Sequence, residues 1–426
     1  MRIMNENITG ALSHEQLVES VKQSISEWGK PLNKVLLIPP DFTRGNSGAG
    51  ILTAIYFDLL EPACHVDILP ALGTHVPMTR EEQIAFFGEK IPEDRYIIHN
   101  WRTDVVTLGH VPGSFVKEVS EGVMDEDIEV QVNKCLTSGE YDLIISIGQV
   151  VPHEVVGLAN YTKNILVGCG GSQMINRSHM VGAFYGAERL MGRDFSPVRK
   201  IFDYAEEHYL APLPIIYALT VVSTVEGKNA INALYIGRER GLFEKAVALS
   251  QKKNINLVKE PIKTCVVYLD DAEFKSTWLG NKGVYRTRMA LAKGAQLIIL
   301  APGVDKFGED DVNDKTIRKY GYVGRKKILE LVKTEPELQA NLSVAAHLIH
   351  GSCDELFHIT YGVRHLTEAE VTDVGFGYAR YDELIKKYDP AVLKDGYNTL
   401  ENGEEVYYIS NPALGLWASE ETFNNI

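Results

Sequence analysis

Short apolar runs alternate with amphipathic stretches along the first half of the chain. Residues 35–38 and 65–71 have the composition of buried strands, and each is followed by a segment, 49–62 and 79–88, with apolar positions at helical spacing. Residues 141–148 repeat the apolar, β-branched pattern of a strand. Strands that alternate with helices in this way predict an α/β fold with a mainly parallel sheet.

Polar side chains with useful chemistry follow each of these three predicted strands. In chain order they are Asp41, Thr43, Arg44, His75, His153 and Lys163. Because the carboxyl ends of parallel strands meet at one edge of a sheet, we expect the three loops to lie together, where α/β sheets bind ligands. The helix after the first loop also makes Thr43 and Arg44 part of a candidate anion site. The same loop permits a simpler interpretation, a surface ion pair of Asp41 with Arg44 beside a helix cap.

The segment from His153 to His179 combines two imidazoles with one amine. Lys163 lies ten residues after His153 and sixteen before His179, and glycines at 168, 170 and 171 permit a close approach of the backbone. His179 falls in a stretch with the apolar spacing of a helix. An imidazole binds nickel or zinc and exchanges protons near neutral pH, and a lysine in a low-dielectric pocket becomes nucleophilic. The pattern alone equally permits histidines with structural roles.

The second half of the chain repeats the strand and helix pattern and predicts a second α/β domain. Its predicted strands are apolar and rich in β-branched residues: Thr264–Leu269, Ala295–Leu300 and part of Ala345–Ile349. We therefore expect an N-terminal domain over residues 1–258 and a C-terminal domain over residues 263–400. Residues 401–426 are expected to return to the N-terminal domain as a strand and a short helix.

Composition and charge exclude several classes of protein. The chain has 426 residues, of which 45% are hydrophobic and 23% charged, as in globular proteins with a sizeable core. Its formal net charge of -14 argues against a nucleic-acid partner. The five cysteines form no CxxC pair, which favours a reducing compartment, and no apolar run reaches the length of a membrane span. We expect a cytoplasmic protein without a membrane or nucleic-acid partner.

These loops resemble those of the lactate racemase family, the LarA-type enzymes that depend on a nickel-pincer nucleotide. The family's Asp-His-Thr-Arg motif appears as residues 41–44, DFTR, and its Gly-x-His-x-Pro motif as residues 73–77, GTHVP. The spacing of His153, Lys163 and His179 also matches the family pattern. The resemblance extends over most of residues 30–310. It implies two α/β domains with the active site in the cleft between them.

The resemblance implies that the chain binds the cofactor covalently. Lys163 would hold the pincer nucleotide, pyridinium-3,5-bisthiocarboxylic acid mononucleotide, as a thioamide, and His179 would be the side-chain ligand of its nickel. Asp41 and Thr43 would help to hold the cofactor and its loop. Separate maturation proteins make such a cofactor and are expected partners, so recombinant chain produced without them is expected to lack it.

The resemblance also assigns groups to the substrate, a 2-hydroxy acid. His75 and His153 would be the acid and base, and Arg44 would bind the carboxylate. An imidazole is too weak a base to remove the C2 proton beside an anionic carboxylate. We therefore expect reversible hydride transfer through a 2-keto acid, which makes the chain an isomerase that racemises or epimerises its substrate at C2.

The substrate pocket differs from the family pattern in the predicted second domain. Lactate enzymes place a glutamine after the tyrosine and a lysine four residues after it, whereas here Tyr285 precedes Arg286 and the lysine position holds Met289. Tyr285 and Arg286 are therefore expected to contact a substrate larger or more polar than lactate, such as a sugar acid. Arg286 is equally compatible with a solvated helix position; Arg288, about 200° further round a helix, would face elsewhere.

Two other clusters have weaker functional patterns. Asp305, Glu309, Asp310 and Asp311 follow no calcium-loop spacing and indicate the acidic N-terminus of a helix. The histidines of the later segment have no recognisable zinc spacing: His347, His350, His358 and His365. We assign no ligand to either cluster.

Two other functions remain compatible with the residues. A buried Lys163 suits a Schiff-base enzyme without nickel, such as an aldolase or a pyridoxal-phosphate enzyme. A protein that binds a hydroxy acid or a nucleotide without catalysis would also use these loops. The presence of both His75 and His153 favours the racemase, because a binding protein needs no opposed acid and base.

Overall fold

The computed structural model describes residues 1–225 and 228–424, which form two compact units. Each unit contains a six-stranded sheet. Most neighbouring strands in both sheets are parallel, and helices connect them. The prediction of two α/β domains with mainly parallel sheets is therefore confirmed.

The boundary between the two units lies slightly before the predicted one. The first unit consists of Met1–Val181 and Met191–Asn254, and the second of Gly182–Leu190 and Ile255–Ile426. Our boundary kept residues 255–258 in the first domain, but Ile255–Val258 forms a parallel pair with Leu416–Ser419 in the second unit. The short segment within 182–190 carries no pattern in the sequence that separates it from its neighbours.

The sheet of the first unit has four neighbouring parallel strands, and the two strands at one side are joined to them and to each other by antiparallel pairing. In sheet order the strands are Arg2–Glu6, Lys228–Gly237, Ile215–Val225, Leu143–Gln149, Lys34–Ile38 and His65–Ile68. The last four are parallel to one another. Their carboxyl ends therefore meet at one edge, as the sequence pattern predicts.

Both faces of this sheet are covered, which explains the uninterrupted apolar runs of its strands. Leu36 and Ile38 belong to one hydrophobic cluster, whereas Val35 and Leu37 belong to another. The helices of the unit are His14–Trp28, Ala49–Leu60, Arg80–Phe87, Gly113–Val119, Ser172–Tyr185, Pro197–Ala205 and Arg240–Asn254. Ser13 caps the first of them, and its side chain forms a capping box with Gln16. Two small antiparallel sheets complete the unit: Val105–Val111 with Ile128–Asn133, and Pro152–His153 with Gly157–Leu158.

The sheet of the second unit is parallel except at one end. In sheet order its strands are Gly377–Arg380, Phe357–Val363, Leu291–Ala301, Ile262–Tyr268, Glu405–Ile409 and Gly396–Thr399. Its helices are Ala187–Leu190, Thr277–Gly280, Lys282–Tyr285, Asp311–Tyr320, Arg325–Thr334, Pro336–Ala340, Leu342–His350, Glu368–Asp373, Tyr381–Leu384 and Glu420–Asn424. No helix among the described residues of either unit has the length and apolarity needed to cross a membrane.

Two expectations for the second half of the chain are wrong. Residues Ala345–Ile349 are not a strand but lie in the helix Leu342–His350, which begins at Asn341 because its side chain accepts a hydrogen bond from the Val344 amide. A short apolar run is compatible with a buried helix as well as with a strand. Here the cap at Asn341 favours the helix. The described part of the tail, residues 401–424, does not return to the first unit: Glu405–Ile409 pairs with Ile262–Tyr268 in the second sheet.

Candidate active site

The three loops leave the same edge of the sheet in the first unit. Their strands are parallel neighbours, and just beyond the strand ends Pro40 and Ala71 form a further parallel bridge. The amide of Asn164 donates hydrogen bonds of 3.0 Å to the Ile38 carbonyl and to the Ser146 hydroxyl. One side chain just after Lys163 therefore ties two strand ends to the third loop.

Glycine at position 168 allows the segment after Lys163 to approach the loop that carries His75. The Gly73 amide donates a 2.8 Å hydrogen bond to the Gly168 carbonyl. A Cβ at position 168 would lie 2.6 Å from the Cβ of Ala71, which is closer than such atoms approach. Gly168 therefore allows the two loops to pack closely, because a larger residue would collide with Ala71.

Asp41 and His75 form a short hydrogen-bonded pair. The Nδ1 atom of His75 lies 2.5 Å from the Oδ2 atom of the buried Asp41 carboxylate. Asp41 also caps the short helix Phe42–Ser47 by accepting hydrogen bonds from the Thr43 amide and hydroxyl. Burial alone would raise the pKa of Asp41, but the hydrogen bonds from His75 and Thr43 and the nearby charges lower it overall. An ionised Asp41 assigns the His75 ring proton to Nδ1 and leaves a lone pair on Nε2.

Arg44 is exposed on the short helix that Asp41 caps. Its backbone amide donates a 3.1 Å hydrogen bond to the Asp41 carbonyl. The Asp41 carboxylate pairs with His75 rather than with Arg44, so the surface ion pair of Asp41 and Arg44 is wrong. The Arg44 charge still helps to lower the pKa of both Asp41 and Lys163, which places the guanidinium near both groups.

His153 is buried at the end of the two-residue strand Pro152–His153. Its Nδ1 atom accepts a 3.1 Å hydrogen bond from the Val155 amide, and the Glu154 carboxylate lies 3.8 Å from the same nitrogen. The neutral ring therefore carries its proton on Nε2. His153 and His75 thus have opposite ring tautomers.

Lys163 is partly buried immediately before the π-helix Asn164–Gly168. Loss of solvent and the charges of Arg44 and Arg199 together lower the pKa of its amine to about 8, against the opposing charges of Glu154 and Asp41. A substantial fraction of the amine is therefore neutral near physiological pH. A neutral amine is the form that acts as a nucleophile.

His179 lies in the helix Ser172–Tyr185, as predicted, and is partly buried. Its Nδ1 atom lies 2.6 Å from the Ile175 carbonyl one turn earlier, which assigns the ring proton to Nδ1. The lone pair is then on Nε2, the arrangement that oriented metal ligands use. No cluster of three or more metal-binding side chains occurs in the described part of the chain.

Glu154 and Arg199 belong to this site but were not identified from the sequence. Glu154 follows His153 directly, and its charge acts on both His153 and Lys163. Arg199 is buried on the helix Pro197–Ala205 and donates hydrogen bonds to the loop before Lys163. The sequence does contain a signal for Arg199, because it is a charged residue among the apolar positions of a helix. Those apolar positions are Val198, Ile201, Phe202 and Ala205.

Tyr285 and Arg286 are both buried in the second unit. Arg286 is only 5% exposed, so the solvated position is wrong. Its guanidinium donates a 3.2 Å hydrogen bond to the Gly415 carbonyl, and its Nε atom has no hydrogen-bond partner among the described residues. Arg288 is buried too, but it forms ion pairs with Glu188 and Asp354. Arg286 thus bonds a backbone carbonyl, whereas Arg288 has acidic partners within the unit.

The two weaker clusters have structural explanations. Asp310 caps the helix Asp311–Tyr320, which agrees with an acidic helix N-terminus. The Nε2 atom of His347 lies 2.8 Å from the Tyr322 hydroxyl, and its ring stacks on Trp278. Burial lowers the pKa of His347 to about 3, so this ring is neutral.

Comparison with known proteins finds a family that the N-terminal part of the chain resembles. Residues 4–191 match the model of the lactate racemase N-terminal domain. The lactate racemase of Lactiplantibacillus plantarum is 27% identical over 180 residues, which cover 39% of this chain and 39% of that protein. The alignment thus spans well under half of this curated relative.

Solved structures extend the likeness in fold to nearly the whole chain. A protein from Thermotoga maritima superposes with a TM-score of 0.82 at 25% identity and covers 98% of this chain and 100% of its own. The lactate racemase apoprotein from Thermoanaerobacterium thermosaccharolyticum gives a TM-score of 0.71 at 16% identity, with 96% and 93% covered. The site motifs lie within the matched residues, so the N-terminal part of the chain is similar to the lactate racemase N-terminal domain.

Proposed function

We propose that the chain is a racemase or epimerase that inverts C2 of a 2-hydroxy acid through a 2-keto acid. The observation that carries the proposal is the pair of imidazoles with opposite tautomers, His75 and His153, beside a partly neutral Lys163. An inversion needs proton exchange at two faces of one substrate. One imidazole that can accept a proton and one that can donate a proton meet that requirement.

The two histidines have distinct tasks in this proposal. His75 has its lone pair on Nε2 and a carboxylate behind Nδ1, so it is prepared to accept the hydroxyl proton. His153 lies beside Glu154, and a carboxylate stabilises the protonated ring that returns a proton to the opposite face. The tasks exchange in the reverse direction, because the product is the mirror configuration at C2.

The residues present fit the nickel-pincer nucleotide of the family. When bound, that cofactor accepts a hydride from C2 and returns it. Lys163 would hold it covalently, because acylation requires the neutral amine that its lowered pKa supplies. His179 would provide the protein ligand of the metal through Nε2. Asp41 and Thr43 would keep the adjoining loop in place.

The substrate class follows from the arginines. The exposed guanidinium of Arg44, near Lys163, is suited to bidentate binding of the carboxylate at C1. Arg286, with an Nε atom that lacks a partner, would receive a second carboxylate or several hydroxyls. We therefore favour a substrate more polar than lactate, such as a sugar acid.

The first experiment is intact-protein mass spectrometry with metal analysis on chain co-expressed with the pincer-nucleotide maturation proteins. We expect an adduct that peptide mapping places on Lys163, with nickel near one atom per chain. An unmodified Lys163 without nickel, beside a control enzyme that matures in the same cells, would reject the cofactor.

The second experiment separates hydride transfer from proton abstraction. Loaded protein converts a hydroxy acid deuterated at C2 in ordinary water, and the product is analysed by chiral chromatography with mass detection. We expect the inverted product to retain its deuterium. Loss of the label to solvent would overturn the mechanism, and binding without inversion in a panel of hydroxy acids would leave only a binding role.

The lowered pKa of Lys163 also supports a second candidate, a Schiff-base enzyme. A neutral, partly buried amine attacks a carbonyl substrate, and reduction with borohydride then fixes the product on the lysine. Trapping of a keto acid or pyridoxal phosphate on Lys163 would favour this candidate. A chain that remains unmodified under those conditions would exclude it.

A further inference from the structure

Arg199 forms an unusual set of contacts with the loop before Lys163. One terminal nitrogen donates a 2.8 Å hydrogen bond to the Thr162 hydroxyl. The other donates to the carbonyls of Leu158, at 2.7 Å, and Asn160, at 3.3 Å. The arginine is only 1% exposed. A single buried guanidinium therefore bonds three alternate residues, Leu158, Asn160 and Thr162, in the segment that ends at Lys163.

This segment has a backbone that needs external support. Asn160 and Tyr161 have φ angles of 64° and 56°, in the left-handed region that side chains other than glycine rarely adopt. This conformation is strained for such residues, and a bulky aromatic is a poor choice for it. The Asn160 side chain accepts a 2.6 Å hydrogen bond from the Tyr161 amide. The Ala159 amide donates a 2.8 Å hydrogen bond to the Val151 carbonyl, and Arg199 binds the loop carbonyls of Leu158 and Asn160.

The surroundings of Arg199 do not explain its charge as an ordinary ion pair. No carboxylate among the described residues lies within 4.0 Å of its guanidinium; Asp203 and Asp194 act on it only through longer-range charge. Burial lowers the pKa of Arg199 to about 10, so it remains cationic at neutral pH. A buried cation without a carboxylate partner is costly. The loop oxygens and the ring of Phe243, whose centroid lies 4.5 Å from the guanidinium carbon, provide its compensation.

We propose that Arg199 is a positioning residue for Lys163: its three hydrogen bonds fix the Leu158–Thr162 loop so that the amine is held at the strand edge. The proposal rests on the cofactor role proposed for Lys163. A lysine at position 199 would retain the charge but present one ammonium instead of a planar fork, so it cannot reproduce all three bonds.

The test uses Arg199→Lys, Arg199→Met and a matched control, Arg238→Lys. Arg238 also donates to two backbone carbonyls in the first unit, those of Leu210 and Leu213, but it does not bond the Leu158–Thr162 loop through its side chain. The first measurement is hydrogen exchange of the peptide that spans residues 158–163. The second is the pH midpoint of Lys163 acylation by an amine-selective reagent, read by mass spectrometry. Neither measurement needs cofactor.

Both Arg199 variants are expected to speed exchange in this peptide by about tenfold or more, because hydrogen bonds to charged groups are worth that much. Arg199→Met should also move the acylation midpoint of Lys163 upward, since a nearby cation is removed. The other charges that face the amine, Arg44, Glu154 and Asp41, stay in place. Arg238→Lys should leave both measurements as in the wild type.

Wild-type exchange in both Arg199 variants would overturn the proposal. A change in Arg199→Met alone would assign the residue a charge effect rather than a positioning role, which also overturns it. If Arg199→Met does not fold, Thr162→Val tests the same contact by removal of one acceptor, and unchanged exchange in Thr162→Val would also overturn the proposal.

In cells with the maturation proteins, Lys163 loading should fall about tenfold in Arg199→Lys. Absence of an adduct in the wild type would instead reject the proposed function.

Discussion

The Nδ1 atom of His75 lies 2.5 Å from the Oδ2 atom of Asp41, across 34 residues of sequence. The same unit contains a second histidine and aspartate pair, His65 with Asp67, at 2.7 Å. His65 begins its strand, whereas His75 follows the end of that strand. The pairs use different ring nitrogens, Nδ1 of His75 and Nε2 of His65, and of the two aspartates Asp41 is the one whose charge acts on Lys163.

Asp41→Asn should reduce turnover by about 10²-fold or more. The amide is neutral and can present its NH₂ group to Nδ1, which would move the ring proton of His75 to Nε2 and abolish the base. Turnover is measured on cofactor-loaded protein by chiral chromatography, with nickel content determined in parallel. The matched control is Asp67→Asn, which alters a partner of His65 and should leave turnover per nickel within about twofold. Equal losses in both variants would contradict a specific role of Asp41.

Lys163→Met should stabilise the chain without cofactor at neutral pH. The pKa of Lys163 is about 8 in the folded chain and 10.5 in the unfolded reference, so the protonated amine is penalised by about 3 kcal/mol below pH 8. Between pH 8 and 10.5 the unfolded chain binds more protons, and wild-type stability rises with pH. The advantage of Lys163→Met should therefore be largest near pH 7 and should shrink toward pH 10, as measured by urea unfolding.

An exposed lysine provides the comparison for this experiment. Lys200 lies on the solvent side of the helix Pro197–Ala205, and Lys200→Met removes the same charge from the protein surface. Its difference from the wild type should be within about 0.5 kcal/mol and nearly independent of pH. A stability difference for Lys163→Met that does not vary between pH 7 and 10 would contradict the burial of its amine.

Much of this site was accessible from sequence because it lies at strand ends. The run Val35–Ile38 had to be a strand buried on both faces, and the cap at Thr79 fixed the start of the next helix. Parallel order then placed the loops of Asp41 and His75 at one edge. Periodicity and capping predict each strand and helix locally. Because parallel strands end at the same edge of the sheet, the loops that follow them lie close together.

The partners within the site were not accessible in the same way. A hydrogen bond between Asp41 and His75 depends on side-chain direction, which strand pattern does not specify. Arg199 lies 36 residues after Lys163, and nothing in the sequence indicates that its guanidinium reaches back to Leu158. The predicted strand at Ala345–Ile349 failed for a related reason, since a five-residue apolar run does not distinguish a buried helix from a strand.

Arg44→Lys should raise the KM for the hydroxy acid by about tenfold and change kcat less. A lysine preserves the charge but cannot bind a carboxylate through two parallel hydrogen bonds. Arg2→Lys is a suitable control, because Arg2 is an exposed arginine on the edge strand at the far side of the same sheet. An unchanged KM in Arg44→Lys would remove Arg44 from the carboxylate site.

Arg286→Met should discriminate between substrates rather than abolish turnover. If the guanidinium binds a second carboxylate or distal hydroxyls, its loss should lower kcat/KM about tenfold or more for a dicarboxylic or sugar hydroxy acid and little for a short monocarboxylic one. Arg286→Lys should recover part of the preference for a dicarboxylate, because it restores charge without the fork. Since Arg286 is buried, its variants are first compared with the wild type by thermal unfolding. Equal losses for short and long substrates would show that Arg286 supports the second unit through Gly415 and does not select the substrate.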